Sequence, residues 1–168
     1  MTASQYDTAI YNQALRMGIS PDLAKIMVAQ ARYESADYTS NTFNKTNNAF
    51  GYKYYPGSKW QAGAGNKSSE YGQDQSVYAK YNSVTDSTGE VVDWLKRRQN
   101  EGYFNIADIS TPDQYAQALK SADYYGESAG AYTSGLIAKY GLVNIAAVTG
   151  GSLLLIVAII FLFIKSKR

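Results

Sequence analysis

SPDLAKIMVAQARYESADY, residues 20–38, decides how the chain folds, because it sets one carboxylate, Glu34, on an otherwise apolar helical stripe. Ser20 has the side chain of an N-cap, Pro21 occupies the first helical position, where no N–H is needed, and Asp22 suits the first turn. The pattern predicts a helix from Pro21 to about Ser35. Leu23, Ile26, Met27 and Ala31 recur at helical spacing, and the same stripe continues through Gln30 and Glu34, while Lys25 and Arg32 project elsewhere. A carboxylate at the last turn of a buried stripe loses hydration and meets the negative end of the helix dipole, and both effects disfavour its ionised form. Such a group suits general acid chemistry near neutral pH. Periodicity alone leaves a plainer reading open, a partly exposed Glu or the partner of a nearby Arg.

Composition narrows the chemistry. The chain has 168 residues, enough for one domain with a substantial core and an appendage. It holds no Cys and no His, which excludes disulfide staples, thiol nucleophiles, Ser-His-Asp triads and the usual zinc sites. No cofactor or metal is expected, and the work falls to Asp, Glu, Tyr, Lys, Ser or Asn. Lys165, Lys167 and Arg168 stand at the chain end, so the remainder carries thirteen positive charges against fourteen negative. That near-neutral body speaks against nucleic acid as a partner, which would call for a basic face. Sixteen Tyr is the compositional outlier. Aromatic faces beside hydroxyls and amides suit the C–H faces of carbohydrate, and they equally suit an ordinary core.

Around the central stretch the punctuation is readable. Tyr6, Ile10, Ala14 and Leu15 predict a first helix over residues 5–17, ended by Gly18. Residues 37–48, rich in Asn, Ser and Thr, read as loop. Short aromatic stretches broken by Pro56-Gly57, Gly63, Gly65 and Gly72 predict a small antiparallel hairpin from residues 51–55 and 71–81, with a mobile loop between. Helices follow over 87–99, where Val91, Val92, Trp94 and Leu95 give an apolar face, over 112–121 behind a Thr111 cap, and from about Tyr132 to Tyr140.

Ala29-Gln30-Ala31, Glu34-Ser35 and then Asn47-Asn48-Ala49-Phe50-Gly51-Tyr52-Lys53 resemble the glucosaminidase family of peptidoglycan hydrolases, which reads AQAxxES and NNxFGxK. Ser68-Ser69-Glu70-Tyr71 and Val77-Tyr78-Ala79-Lys80-Tyr81-Asn82-Ser83 resemble the family's TxEY and FxxYxS segments. Ala122-Asp123-Tyr124-Tyr125-Gly126, with Tyr132 and Leu136 beyond it, is similar to the AGYATDPxxYAxxL ending, although Asp replaces Gly, the TDP turn is missing and the spacing to Tyr132 is longer. The resemblance implies an α+β, mainly α, lysozyme-like domain and cleavage of the β-1,4 glycan of peptidoglycan after N-acetylglucosamine. It implies Glu34 as general acid, Glu70 as second carboxylate with Asp74 as the fallback, and Tyr124 as the active-site tyrosine, with Tyr125 as the alternative. Asn48, Phe50, Tyr125 and Tyr132 are expected to contribute to substrate binding; for Phe50 a core position is the competing reading. Two rivals stay open: a muramidase or lytic transglycosylase, and a non-catalytic glycan-binding or virion structural protein. The segment resembling Gly-Leu-Met-Gln that usually follows the Glu in goose-type relatives is not visible.

Residues 142–164, LVNIAAVTGGSLLLIVAIIFLFI, contain no charge and precede KSKR. At about 1.5 Å per residue they would reach roughly 34 Å, and a hydrocarbon core is about 30 Å thick. The expectation is a domain over 1–141, one C-terminal transmembrane helix over 142–164 and a basic tail over 165–168. A lipid bilayer is then a second partner, with a single-pass anchor in a bacterial envelope or in the internal membrane of a virion. The virion enters because residues 1–19 show no basic-then-apolar signal segment.

Overall fold

The computed structural model describes residues 1–67, 77–126 and 128–144. Helix α2 (Pro21–Glu34) is the hub, with Leu23, Ala24, Ile26, Met27, Val28, Ala29, Gln30 and Ala31 all buried. Burial on nearly every side exceeds the single stripe expected from periodicity. Ala24, Ala29 and Ala31 are what permit it, since small side chains let α1 (Ala3–Arg16), α5 (Pro112–Ser121) and α6 (Ala129–Tyr140) pack against α2. Each fully buried Leu, Ile or Met contributes about 1.5–3 kcal/mol. Ser20 caps α2 through Leu23 N–H, and Thr2 and Thr111 form capping boxes on α1 and α5 with Gln5 and Gln114.

Helix α3 (Asn41–Thr46) occupies a segment expected to be loop. Its Ser40 caps Phe43 N–H, Asn47 ends it in the left-handed region at φ 54°, and Phe43 anchors it in the core. The polar letters that suggested a loop are its caps. The hairpin consists of β1 (Gly63–Lys67) and β2 (Val77–Lys80), antiparallel, with Gly63 opposite Lys80 and Ala64 opposite Ala79. Among the described residues the expected first strand at 51–55 contributes a single bridge between Lys53 and Tyr78. Glycine misled the reading here, because a Cβ on Gly65 would lie 2.7 Å from the Thr46 methyl and 2.9 Å from the Tyr78 carbonyl oxygen. Glycine at 65 is therefore a close-approach residue inside the strand. Helix α4 (Val84–Asn100) follows a Ser83 cap and packs on α1; a short 3₁₀ turn, Ile106–Asp108, leads to α5.

The result is a mainly helical, lysozyme-like α+β domain, and the expected transmembrane helix does not belong to it. Among the described residues no helix is long and apolar enough to cross a membrane. Helix α6 ends at Tyr140, and Val143, the second residue of the uncharged run, is 5% exposed and sits in the domain core. The start of that run thus serves the domain, and residues 145–164 lie outside the described residues. The single-pass anchor, its bilayer partner and the envelope or virion membrane location lose their support with it.

An ion network ties α1, α2 and α6 together. Arg32 donates to Asp7 through Nε (3.0 Å) and one terminal nitrogen (2.6 Å), Tyr38 hydroxyl donates to Asp7 Oδ1 at 2.8 Å, and Lys139 pairs with Asp37 at 2.6 Å. Asp7 is 5% exposed, so removing its charge leaves the part-buried Arg32 guanidinium with the longer 3.4 Å contact to Asp37 in place of its short bonds. Asp7→Ala is expected to cost about 3 kcal/mol or more by that mechanism, against about 1 kcal/mol for Tyr38→Phe, which deletes one hydrogen bond. Urea denaturation followed by helix signal checks the order; equal losses would contradict it.

Candidate active site

Glu34 is the last residue of α2, and the chain leaves it through an unusual turn. Ala36, Asp37 and Tyr38 are consecutive non-glycine residues at φ 51°, 55° and 67°. Left-handed backbone costs roughly 1–2 kcal/mol per residue, so three in a row must be held from outside. Ser35, fully buried, does this locally: its hydroxyl donates to Ala31 O and accepts from Tyr38 N–H at 2.9 Å. Asp37 N–H returns to Arg32 O at 2.7 Å, and the Asp7–Arg32–Tyr38 and Asp37–Lys139 contacts clamp the side chains. Serine after the glutamate is therefore a stop signal that fixes where the carboxylate ends up.

A hydrogen-bonded line then runs through the core to Glu34. Tyr115 hydroxyl donates to Gln30 Oε1 at 2.7 Å, Gln30 Nε2 donates to Tyr132 hydroxyl at 3.1 Å, and Tyr132 hydroxyl donates to Glu34 Oε1 at 2.8 Å. Gln30 and Tyr115 are 0% exposed and Tyr132 1%. Burial first, and then the Glu34 carboxylate, push the Tyr132 hydroxyl well above the ordinary tyrosine range, so it remains a neutral donor. Tyr33 meets the Tyr132 ring edge-on at 5.4 Å, and Tyr125 stacks on it at 3.9 Å. A Cβ on Gly135 would fall 2.2 Å from the Tyr33 ring, which places α6 close against α2.

Glu34 faces a cleft of about 960 Å³. The end of α2 and the segment after α3 contribute Glu34, Phe50 and Gly51; Lys53, Tyr55 and Tyr78 come from the hairpin side; α4 adds Trp94, Arg97 and Arg98; Asp123, Tyr124, Tyr125 and Tyr132 are also part of the lining. Gly51 has φ 69°, and a Cβ there would lie 3.4 Å from Glu34 Oε2. Glycine at this point gives the backbone its turn and leaves room beside the carboxylate.

The residues singled out in the sequence meet unequally. Tyr132, expected among the substrate contacts, is bonded to Glu34 itself. Tyr124 lines the cleft, but its hydroxyl donates to Phe50 O at 2.8 Å and its ring packs edge-on against Trp94 and Tyr52. Tyr125 donates to Ala116 O at 2.9 Å. Asn48 is 2% exposed and fully engaged: Nδ2 donates to Tyr52 O and Ala79 O, and Oδ1 accepts from Tyr52 N–H. It fastens the cleft segment to β2. The Phe50 ring is in the core at 1% exposure, and its carbonyl is what reaches the site. Glu70 and the fallback Asp74 lie outside the described residues. Gln30, Ser35 and Tyr115 carried no expected role. For Gln30 the signal was present, an amide one turn before Glu34 on the apolar stripe.

A glutamate at the end of a buried helix, steadied by a tyrosine and facing a cleft between a helical body and a small hairpin, has the layout of a lysozyme-like glycoside hydrolase. Residues 8–144 match the Glucosaminidase family, described as mannosyl-glycoprotein endo-beta-N-acetylglucosaminidase, and the chain belongs to that family. No curated protein matches the chain by sequence. Two solved structures share the fold. A chain of a type VI secretion system effector-immunity complex from Pseudomonas protegens aligns with TM-score 0.59 and 19% identity, over 83% of this chain and 89% of that one. A C-terminally truncated glycoside hydrolase domain from Salmonella typhimurium FlgJ aligns with TM-score 0.57 and 20% identity, over 86% of this chain and 98% of the other.

The tyrosines set an alkaline limit to stability. Tyr52, Tyr115, Tyr124 and Tyr132 are all raised, in each case by burial first. A group whose folded pKa exceeds its unfolded value stabilises fully below the unfolded pKa and loses that contribution as pH rises above it. The melting temperature should therefore fall above about pH 10, the unfolded tyrosine value. Tyrosinate absorbance from these rings should grow in step with loss of helix signal; complete ionisation in a protein that is still helical would contradict the assignment.

Proposed function

We propose that the protein is a peptidoglycan hydrolase, an endo-β-N-acetylglucosaminidase in which Glu34 is the general acid. The observation that carries this reading is the Glu34 carboxylate, held by Tyr132 and facing the cleft, in a chain of the Glucosaminidase family. Arg97, beside the tyrosine rings of the cleft, suits a glycan that also bears carboxylates, as peptidoglycan does through its lactyl and peptide groups.

In the proposed reaction Glu34 gives its proton to the glycosidic oxygen as the C1–O bond breaks, and positive charge develops on the sugar ring. Water then adds to C1, and the proton it sheds is taken up by a carboxylate, so that Glu34 returns to its acid form. Glu70, which stands in sequence between β1 and β2, is proposed to activate that water or to stabilise the charge. If Glu70 is dispensable, the substrate's own acetamido oxygen supplies the stabilisation instead. Tyr124, bonded to the Phe50 carbonyl, acts by holding the backbone next to Glu34. Asn48 serves the same segment through its three backbone hydrogen bonds, and Tyr125, stacked on Tyr132, keeps that ring in place.

Two measurements test this. With the full chain and purified peptidoglycan, wild type should release fragments with reducing N-acetylglucosamine ends, identified by mass spectrometry; reducing or anhydro-muramic ends would assign the protein to the muramidases or transglycosylases. Glu34→Gln should lower the rate by about 10²–10⁴-fold, the range of general acid catalysis, with melting temperature nearly unchanged. A wild-type rate in that variant would refute the role given to Glu34.

A further inference from the structure

Gln30 stands one helical turn before Glu34, is completely buried and does not itself line the cleft, yet both ends of its amide are used. The two contacts differ in length in an informative way. The 2.7 Å contact to Tyr115 has the usual length of an O–H···O bond, and the 3.1 Å contact to Tyr132 has the usual length of an N–H···O bond. That assigns the amide oxygen to Tyr115 and the amide nitrogen to Tyr132. Turning the amide over would leave an O–H···O contact of 3.1 Å, longer than such bonds run.

The polarity has consequences down the line. Tyr132 hydroxyl has one proton. Because it accepts from Gln30, that proton is left for Glu34 Oε1, where the 2.8 Å bond is found. Were the amide reversed, Tyr132 would donate to Gln30 and give nothing to Glu34. Oε1 is thereby committed as an acceptor in either protonation state of Glu34. When the acid is protonated, its proton resides on Oε2, the oxygen beside Gly51 and the cleft.

We infer that Gln30 is a positioning residue for the reaction: its amide, oriented by Tyr115, fixes the direction of the Tyr132 hydroxyl so that the transferable proton of Glu34 is carried on the cleft-facing Oε2. The inference rests on the reading of Glu34 as the general acid. During bond cleavage the proton passes from Oε2 to the departing oxygen, while Oε1 keeps its hydrogen bond from Tyr132 as charge appears on the carboxylate.

Gln30→Met, close in shape but without the amide, is the direct test in the full chain on soluble peptidoglycan fragments. The expected result is a fall in kcat of about tenfold or more, within the ~10²–10⁴-fold attributable to general acid catalysis, with KM unchanged. Loss of the donated hydrogen bond should also move the alkaline limb of the kcat profile upward, because the carboxylate loses a stabilising partner. Gln30→Glu adds a readout that a structural role would not give. As a neutral acid it offers one donor and one acceptor, so it should restore activity at acidic pH; once ionised it accepts from both tyrosines and turns the Tyr132 hydroxyl proton away from Glu34, so activity should fall away as pH rises. If Gln30→Met does not fold, Tyr115→Phe, which removes only the hydroxyl orienting the amide, should show the same kcat loss and limb shift in smaller measure. Wild-type kcat and an unchanged pH profile in whichever of these variants folds would overturn the inference. Glu34→Gln assayed alongside separates the two failures: if it is inactive while the Gln30 variants are normal, only the positioning role falls, and if it is active, the catalytic reading falls with it.

Discussion

The hydrogen bond from Tyr132 to Glu34 joins residues 98 positions apart in the chain, and most of the domain is arranged so that it can form. It requires α6 to lie close on α2, which Gly135 permits by making room for the Tyr33 ring. It requires Tyr132 to have its proton available, which the Gln30 amide ensures. Glu34 is also the last residue of α2, and the turn that follows it leads the chain away. A polar line of this kind is costly in a core unless every member is satisfied. Among the described residues Gln30 and the Tyr115 and Tyr132 hydroxyls all have partners.

The stop is made by strain held in place. Three left-handed residues follow Ser35, and the contacts that oppose their relaxation come from α1 through Asp7 and from α6 through Lys139. The same two helices that build the core thus also fix the end of α2. Stability and site geometry are not separable here, which is why loss of Asp7 should be felt well beyond one ion pair.

Much of this was legible in the sequence where local chemistry decides the outcome. Caps and periodicity located α1, α2, α4 and α5 to within a few residues, and the Glu34-Ser35 and Asn47–Lys53 motifs pointed to the segments that meet at the cleft. What escaped was decided by tertiary contact. Helix α3 was hidden because its Ser and Asn caps look like loop residues and its one apolar anchor, Phe43, is joined in the core by a Thr, Thr46. Strand β1 was hidden because Gly63 and Gly65 read as breakers, although Gly65 is there for closeness to Tyr78 and Thr46. Hydropathy extended an apolar run across residues that begin inside the domain core, at Val143. Tyr132 was expected among the substrate contacts, but its bond to Glu34 depends on the approach of α6 to α2.

The most direct test of this account is the turnover of purified peptidoglycan by full-length Tyr132→Phe. The substitution keeps the ring that packs with Tyr33 and Tyr125 and removes only the hydroxyl that bonds Glu34. The expected result is a fall in rate of about tenfold or more in a protein with wild-type helix content, since the general acid loses the contact that orients it. A well-folded Tyr132→Phe that turns over substrate at the wild-type rate would contradict the claim that this bond organises the site.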